Sequence, residues 1–179
     1  MRRELLAVLD GLSESDRRRQ ENEASALLVR ESCWREALWL FAYLPMGREF
    51  NIEPLLQEAL AGGKQLAMPR IAGKEMLFHQ VPDLAQQWVI HPFGMREPDP
   101  LLPGIGPDEL TSGEVLVLGP GLGFGPDGSR LGYGGGFYDR FLSRLPEGIR
   151  TASLAYRQQL IRDIPMTDHD MKVGLILSA

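Results

Sequence analysis

The chain has 179 residues, a formal net charge of −5 and a pI near 5.3, which suits one domain over 1–179 with a real core and argues against nonspecific nucleic-acid binding. A single cysteine, Cys33, excludes a disulfide framework and reads as a packing residue, and no Cys or His spacing of the zinc type occurs. No stretch approaches the roughly 18 apolar residues of a membrane span, and Met1-Arg2-Arg3-Glu4-Leu5-Leu6 lacks a signal-peptide pattern, so a cytoplasmic monomer with no membrane and no nucleic-acid partner is expected.

Residues 2–30 are rich in helix formers. A short helix, a break near Gly11 and a longer helix capped by Ser13-Glu14-Ser15-Asp16 are expected. Arg17-Arg18-Arg19 lie among acidic residues at helical spacing and read as a solvated face. Ala37 to Leu44 is almost wholly apolar and predicts a strand buried on both faces, ended by Pro45-Met46-Gly47. Arg48-Glu49-Phe50-Asn51 then sits at a strand's carboxyl end, with Asn51 placed to cap a helix over 52–60 stopped by Gly62-Gly63. Gln65 to Met68 and Met76 to Gln80 predict two short strands joined by turn chemistry at 69–74, while 91–113 reads as an ordered loop. Strands at 114–118, 151–155 and 173–177 follow, with a helix from Phe137 whose stripe is 137, 138, 141, 142 and 145. Strands alternating with helices predict an α/β fold of three layers, a mainly parallel twisted sheet with helices on both faces: a Rossmann-like open sheet.

Between the strand at 114–118 and the helix at Phe137 lies a long glycine-rich run, Gly119 to Gly136. Such density at a strand's end suggests backbone amides turned toward an anion, most naturally phosphate. Two familiar phosphate loops fail: no Lys occurs between Lys74 and Lys172, which removes the Walker pattern, and Gly121-Leu122-Gly123 is followed by Pro126 where GxGxxG needs glycine. What remains is Arg130, the stretch Gly132 to Gly136, and a helix start carrying Asp139. Phosphates held this way commonly need a divalent cation. Asp139 reads equally as a metal ligand or as a carboxylate stabilising the first helical turn, and Asp170 in the polar turn Asp168-His169-Asp170 reads as a second ligand or a loop cap.

The run Gly128-Ser129-Arg130-Leu131-Gly132-Tyr133-Gly134-Gly135-Gly136-Phe137-Tyr138-Asp139-Arg140 resembles the diagnostic stretch of the 5-formyltetrahydrofolate cyclo-ligase family. Weaker family-like segments lie in order around it: Tyr43-Leu44-Pro45 with Glu49, Met68-Pro69-Arg70, Gly94-Met95-Arg96-Glu97-Pro98, Ala155-Tyr156-Arg157-Gln158-Gln159 and His169-Asp170. The resemblance implies ATP- and Mg²⁺-dependent closure of 5-formyltetrahydrofolate to 5,10-methenyltetrahydrofolate through a phosphorylated imidate, with ADP and phosphate released, so that ATP and a folate are the small-molecule partners. It implies catalytic roles for Arg130 and Asp139, and an ATP site of Arg2, Arg130, Leu131, Gly132, Tyr133, Gly134, Gly135, Gly136, Phe137 and Tyr138. It further implies substrate contacts at Leu44, Glu49, Tyr133, Gly134, Gly135, Gly136 and Phe137, and Mg²⁺ ligands Asp139 and Asp170. Gly135 stands where many members carry Lys, and the amino-terminal Lys of many members has no counterpart before Arg2. Two other readings remain on the residues alone: a phosphate-loop enzyme acting on a sugar phosphate or coenzyme A ester, and a noncatalytic folate- or nucleotide-binding protein.

Overall fold

The computed structural model describes residues 1–179. The amino end folds as two helices, α1 (Arg2–Asp10) and α2 (Glu14–Leu28), separated at Gly11. Ser13 caps the second, its Oγ accepting from the Asp16 N–H at 3.1 Å. A short α3 (Ser32–Glu36) leads into β1 (Trp39–Phe41), and α4 (Glu53–Ala61) follows after a loop. Asn51 Oδ1 accepts from the Glu53 N–H at 3.0 Å, satisfying one of the helix's unpaired first-turn donors.

The hairpin β2 (Gln65–Ala72) and β3 (Glu75–Val81) comes next, then the small pair β4 (Val89–Ile90) and β5 (Arg96–Glu97), and β6 (Gly104–Ile105). The turn expected over 69–74 contracts to Gly73-Lys74, because Pro69 is accommodated inside β2. Pro69 shares parity with Gln65 and Ala67, whose backbone groups face β1, and the β1 ladder stops at Ala67. Its missing N–H therefore costs no ladder bond. The Ile71 N–H, of the same parity, donates to Glu97 Oε1 at 2.8 Å instead.

β7 (Val115–Leu118) is fully buried, and the glycine-rich run beyond it contains a small hairpin, β8 (Gly123–Phe124) and β9 (Arg130–Leu131). Then come α5 (Phe137–Leu142), β10 (Arg150–Ala155) and the final β11 (Leu175–Ser178). The main sheet runs β11-β10-β7-β1-β2-β3-β6. Four of its six pairings are parallel, so the sheet is mainly parallel with an antiparallel edge at β3 and β6.

Side chains alternate across it. Leu40, Leu66, Met68, Leu116, Leu118, Ala152 and Leu154 face a core shared with α1, α2 and α4, whereas Phe41, Ala67, Phe78, Val115 and Val117 pack with Phe141 and Leu142 of α5. Helices thus cover both faces, one of them with α5 alone among the α-helices. No helix is long and apolar enough to cross a membrane. From β1 the chain moves to one side through β2 and returns on the other side as β7. That reversal opens a crevice beyond the carboxyl ends of β1 and β7, the place where open α/β sheets bind ligands.

Candidate active site

A cavity of about 340 Å³ occupies that crevice. From the segment after β1 come Tyr43, Leu44 and Glu49; from the glycine run and α5 come Arg130, Gly132, Tyr133, Gly135, Gly136, Phe137, Tyr138 and Asp139; Pro69, Ile71 and Met76 of the β2–β3 hairpin and Phe93, Met95 and Arg96 complete the walls. β1 is shorter than the expected 37–44 because its last apolar residues have another task. Tyr43 and Leu44 are buried as cleft wall rather than as strand.

The glycine run is not one loose loop. Asp127-Gly128 turns the chain between β8 and β9, with Gly128 at φ +86, and the Val173 N–H donates to the Gly128 carbonyl at 2.9 Å. A Cβ on Gly128 would stand 2.5 Å from the Val173 carbonyl oxygen. Lys172 pairs with Asp127 at 2.5 Å, so the carboxyl-terminal segment is strapped onto this hairpin.

The hairpin delivers Arg130 to the cavity, and Gly136, in the left-handed conformation at φ +65, starts α5 one turn before Asp139. The Arg130 guanidinium is buried, donating from Nη2 to Asp139 Oδ1 at 2.6 Å and from Nη1 to the Pro120 carbonyl at 3.1 Å. It also sits over the Tyr138 ring, 5.8 Å from its centroid. Its Nε is buried and has no partner within the chain, as is the Tyr138 hydroxyl. No backbone N–H from Gly132 through Gly136 donates a hydrogen bond within the chain. Five consecutive free amides beside a buried guanidinium with a spare donor make an anion-binding concavity.

Glu49 supplies the opposite chemistry. Its Oε2 accepts from the Met46 N–H at 2.9 Å, yet burial outweighs that bond and pushes the carboxyl up to about 7. The hydroxyls of Tyr133 and Tyr138 are pushed up first by burial and then by the charge of Glu49.

Four residues expected at the site lie outside the cavity lining. Arg2 reaches the run from α1, its Nε donating to the Gly132 carbonyl at 2.9 Å. Leu131 turns its side chain into the core, leaving only its backbone toward the run. Gly134 sits between lining neighbours at φ +107. Asp170 caps its own turn, its Oδ2 accepting from the Thr167 N–H at 2.7 Å and hydroxyl at 2.9 Å, which lowers its pKa; Arg130 and Arg2 lower it further. The next residue ties that turn to the site: the Met171 N–H donates to Asp139 Oδ1 at 3.2 Å.

Reasoning from sequence missed the Pro120 carbonyl, the Met171 amide and Arg140. Arg140 donates from Nε to the Lys74 carbonyl at 3.0 Å and from Nη2 to the Gly135 carbonyl at 3.2 Å, and its guanidinium lies 4.8 Å from the Phe137 ring centroid. It latches the glycine run to the β2–β3 turn, a distant pairing with no local sequence signal.

No three His, Cys, Asp or Glu side chains are grouped to hold a metal by themselves. Asp139 Oδ2 and Asp170 Oδ1, however, accept no hydrogen bond within the chain. Asp139 lines the cavity beside the cradle, and Asp170 precedes the Met171 amide that bonds Asp139, a donor set that fits Mg²⁺, which takes one or two carboxylates and completes its shell with phosphate and water.

Fold and cleft together define an open α/β protein with a small-molecule site at the topological switch point. The family model of 5-formyltetrahydrofolate cyclo-ligases matches residues 1–179, and the chain belongs to that family of ligases. It is 29% identical to mouse 5-formyltetrahydrofolate cyclo-ligase, covering 99% of this chain and 91% of the mouse protein. It is 27% identical to a probable 5-formyltetrahydrofolate cyclo-ligase of Caenorhabditis elegans, covering 99% and 90%. Among solved structures, the 5,10-methenyltetrahydrofolate synthetase of Aquifex aeolicus superposes with a TM-score of 0.81 at 27% identity, covering 98% of this chain and 86% of that one. The Mycoplasma pneumoniae synthetase, at 19% identity and a TM-score of 0.77, shares the fold over 99% and 95% of the two chains.

Proposed function

We propose that this protein closes 5-formyltetrahydrofolate to 5,10-methenyltetrahydrofolate at the expense of ATP, with Mg²⁺ held by Asp139 and Asp170. The observation that carries the nucleotide half is the row of unpaired amides from Gly132 to Gly136 beside the spare Arg130 Nε. Family membership carries the folate half.

In this reading the formyl oxygen attacks the γ-phosphorus and ADP leaves, giving a phosphorylated imidate. N10 of the folate then bonds to the activated carbon, phosphate departs with the former formyl oxygen, and the N10 proton goes to water. No protein nucleophile is needed. The chain's work is alignment and charge: the amides and Arg130 hold phosphoryl oxygens as negative charge develops. Bound Mg²⁺ would neutralise part of that charge. Glu49, opposite in the cleft, accepts hydrogen bonds from the donor edge of the pterin, and the apolar walls at Leu44, Phe137 and Tyr138 exclude water from the reacting carbon.

The test is direct. The purified protein, 5-formyltetrahydrofolate, ATP and Mg²⁺ should yield the near-ultraviolet methenyl chromophore with one ADP per turnover. No chromophore and no ADP overturns the reading.

A further inference from the structure

The reaction cavity shares a wall with a second cavity of about 410 Å³, lined by Glu53, Gln57 and Leu60 of α4 and by Asp83, Leu84 and Trp88 ahead of β4. Only Leu44 and Arg96 line both. Arg96 is also the one cation of the reaction cavity besides Arg130. The alternation of β5 separates its two residues: Glu97 is buried against Arg70 at 3.2 Å, whereas Arg96 stands in the partition.

The Arg96 guanidinium is underused. Its Nη2 donates to Glu53 Oε1 and, at 3.5 Å, to the Pro45 carbonyl, while Nε and Nη1 have no partner within the chain. Arg96 and Glu53 keep 34% and 42% of their side-chain exposure, so water reaches the pair and it can exchange. Both edges by which a guanidinium takes a carboxylate through two parallel bonds, Nε with Nη2 and Nη1 with Nη2, have one donor free and share the Nη2 that Glu53 holds, so an incoming carboxylate gains its fork by displacing Glu53.

The geometry points to Arg96 as the anchor for a glutamate carboxylate of the folate, with Glu53 holding the guanidinium until substrate displaces it. This rests on the cyclo-ligase reading. A folate runs from its pterin through a benzoyl ring to a glutamate, and the second cavity offers Leu44, Leu60 and Trp88 to the ring and Arg96 to the acid. Its other charged groups, Glu53 and Asp83, are acidic. Arg70 is already committed to Glu97 and to the Pro98 carbonyl at 2.9 Å.

Steady-state kinetics on two substrates test the assignment: 5-formyltetrahydrofolate and 5-formyltetrahydropteroate, which lacks the glutamate. Arg96→Gln is expected to raise KM for the folate about tenfold, the loss of one charge-assisted pair, and to move KM for the pteroate less than twofold, with the effect absent from KM for ATP. Glu53→Gln, which removes the competitor, is expected to lower KM for the folate. Equal shifts for both substrates in Arg96→Gln, or none, overturn the assignment while leaving the activity standing. No chromophore from the wild type with either substrate overturns the cyclo-ligase reading and this assignment with it.

Discussion

Arg130 and Asp139 face each other across the glycine run, Nη2 to Oδ1 at 2.6 Å, with 3% and 17% of their side chains exposed. The pair closes the run into a ring: the hairpin supplies one charge, the first turn of α5 the other, and the amides between them are left free. Asp139 therefore commits Oδ1 to Arg130 and the Met171 amide, and under the proposed function Oδ2 is left for the cation.

Those duties separate on mutation. Asp139→Asn keeps an oxygen for Arg130 and Met171 and is expected to cost about 1 kcal/mol of stability. Asp139→Ala strands a buried guanidinium and is expected to cost about 3–5 kcal/mol. Urea unfolding reads this difference. Turnover should fall at least a hundredfold in both variants, with the Mg²⁺ requirement of the Asn variant moved to higher concentration. An Asn variant with the wild-type Mg²⁺ dependence removes Asp139 from the metal site.

Much of this arrangement was legible in the sequence, and the residues show why. Ser13 capping α2 and the apolar stripe of α5 are local signals, readable because caps and helical periods span only a few residues. Apolar composition marks the stretch from Ala37 to Leu44 but does not distinguish strand from cleft wall, so it extends the expected strand over Tyr43 and Leu44, beyond β1. The Asp127-Gly128 hairpin carried a readable turn signal, yet glycine density around it suggested a loop. The two-residue β6, which extends the sheet beyond β3, lies in a segment with no periodicity at all. The bond from Arg2 to Gly132 and that from Met171 to Asp139 join residues far apart in the chain. No local pattern encodes them.

Glu49 makes the enzyme pH-dependent in two ways. Burial raises its folded-state pKa from 4.5 to about 7, so between those values the native state binds more protons than the unfolded chain and stability falls as pH rises. The loss is expected to be about 2–3 kcal/mol between pH 4.5 and 7, then level, and Glu49→Gln should remove that slope. Under the proposed function Glu49 accepts hydrogen bonds from the pterin as a carboxylate, so KM for the folate should drop as pH rises through about 7 and lose this dependence in Glu49→Gln. Urea titrations and initial rates across pH 5.5–8.5 measure both.

A Lys at Gly135, where many members of the family carry one, would add charge for a phosphate, but the packing there attaches a condition. A Cβ there would stand 2.9 Å from Phe137 Cδ2, and that ring is itself stacked against Arg140 and lines the cavity. Gly135→Lys is therefore expected to lower KM for ATP several-fold while raising KM for the folate, because Phe137 must swing aside. Gly135→Ala should raise the folate KM alone. If Lys improves ATP binding with no effect on the folate, Phe137 does not contact substrate.

The strap over the hairpin couples Gly128 to the turn that carries Asp170. Gly128 holds φ +86 with the Val173 carbonyl 2.5 Å from where a Cβ would be, so Gly128→Ala meets both a strained backbone and a clash. Relief comes most cheaply by lifting the segment at 172–173 off the hairpin, which loses the Val173 bond and the Lys172–Asp127 pair. That segment begins two residues after Asp170, and the Met171 amide is what fixes its turn against Asp139. Gly128→Ala should thus cost about 2 kcal/mol in urea unfolding and raise the Mg²⁺ concentration for half-maximal rate, although residue 128 touches neither ligand. Lys172→Met removes the exposed Asp127 pair without backbone strain and is expected to shift the Mg²⁺ midpoint in the same direction with less loss of stability than Gly128→Ala. A normal Mg²⁺ midpoint in both variants separates Asp170 from the metal site.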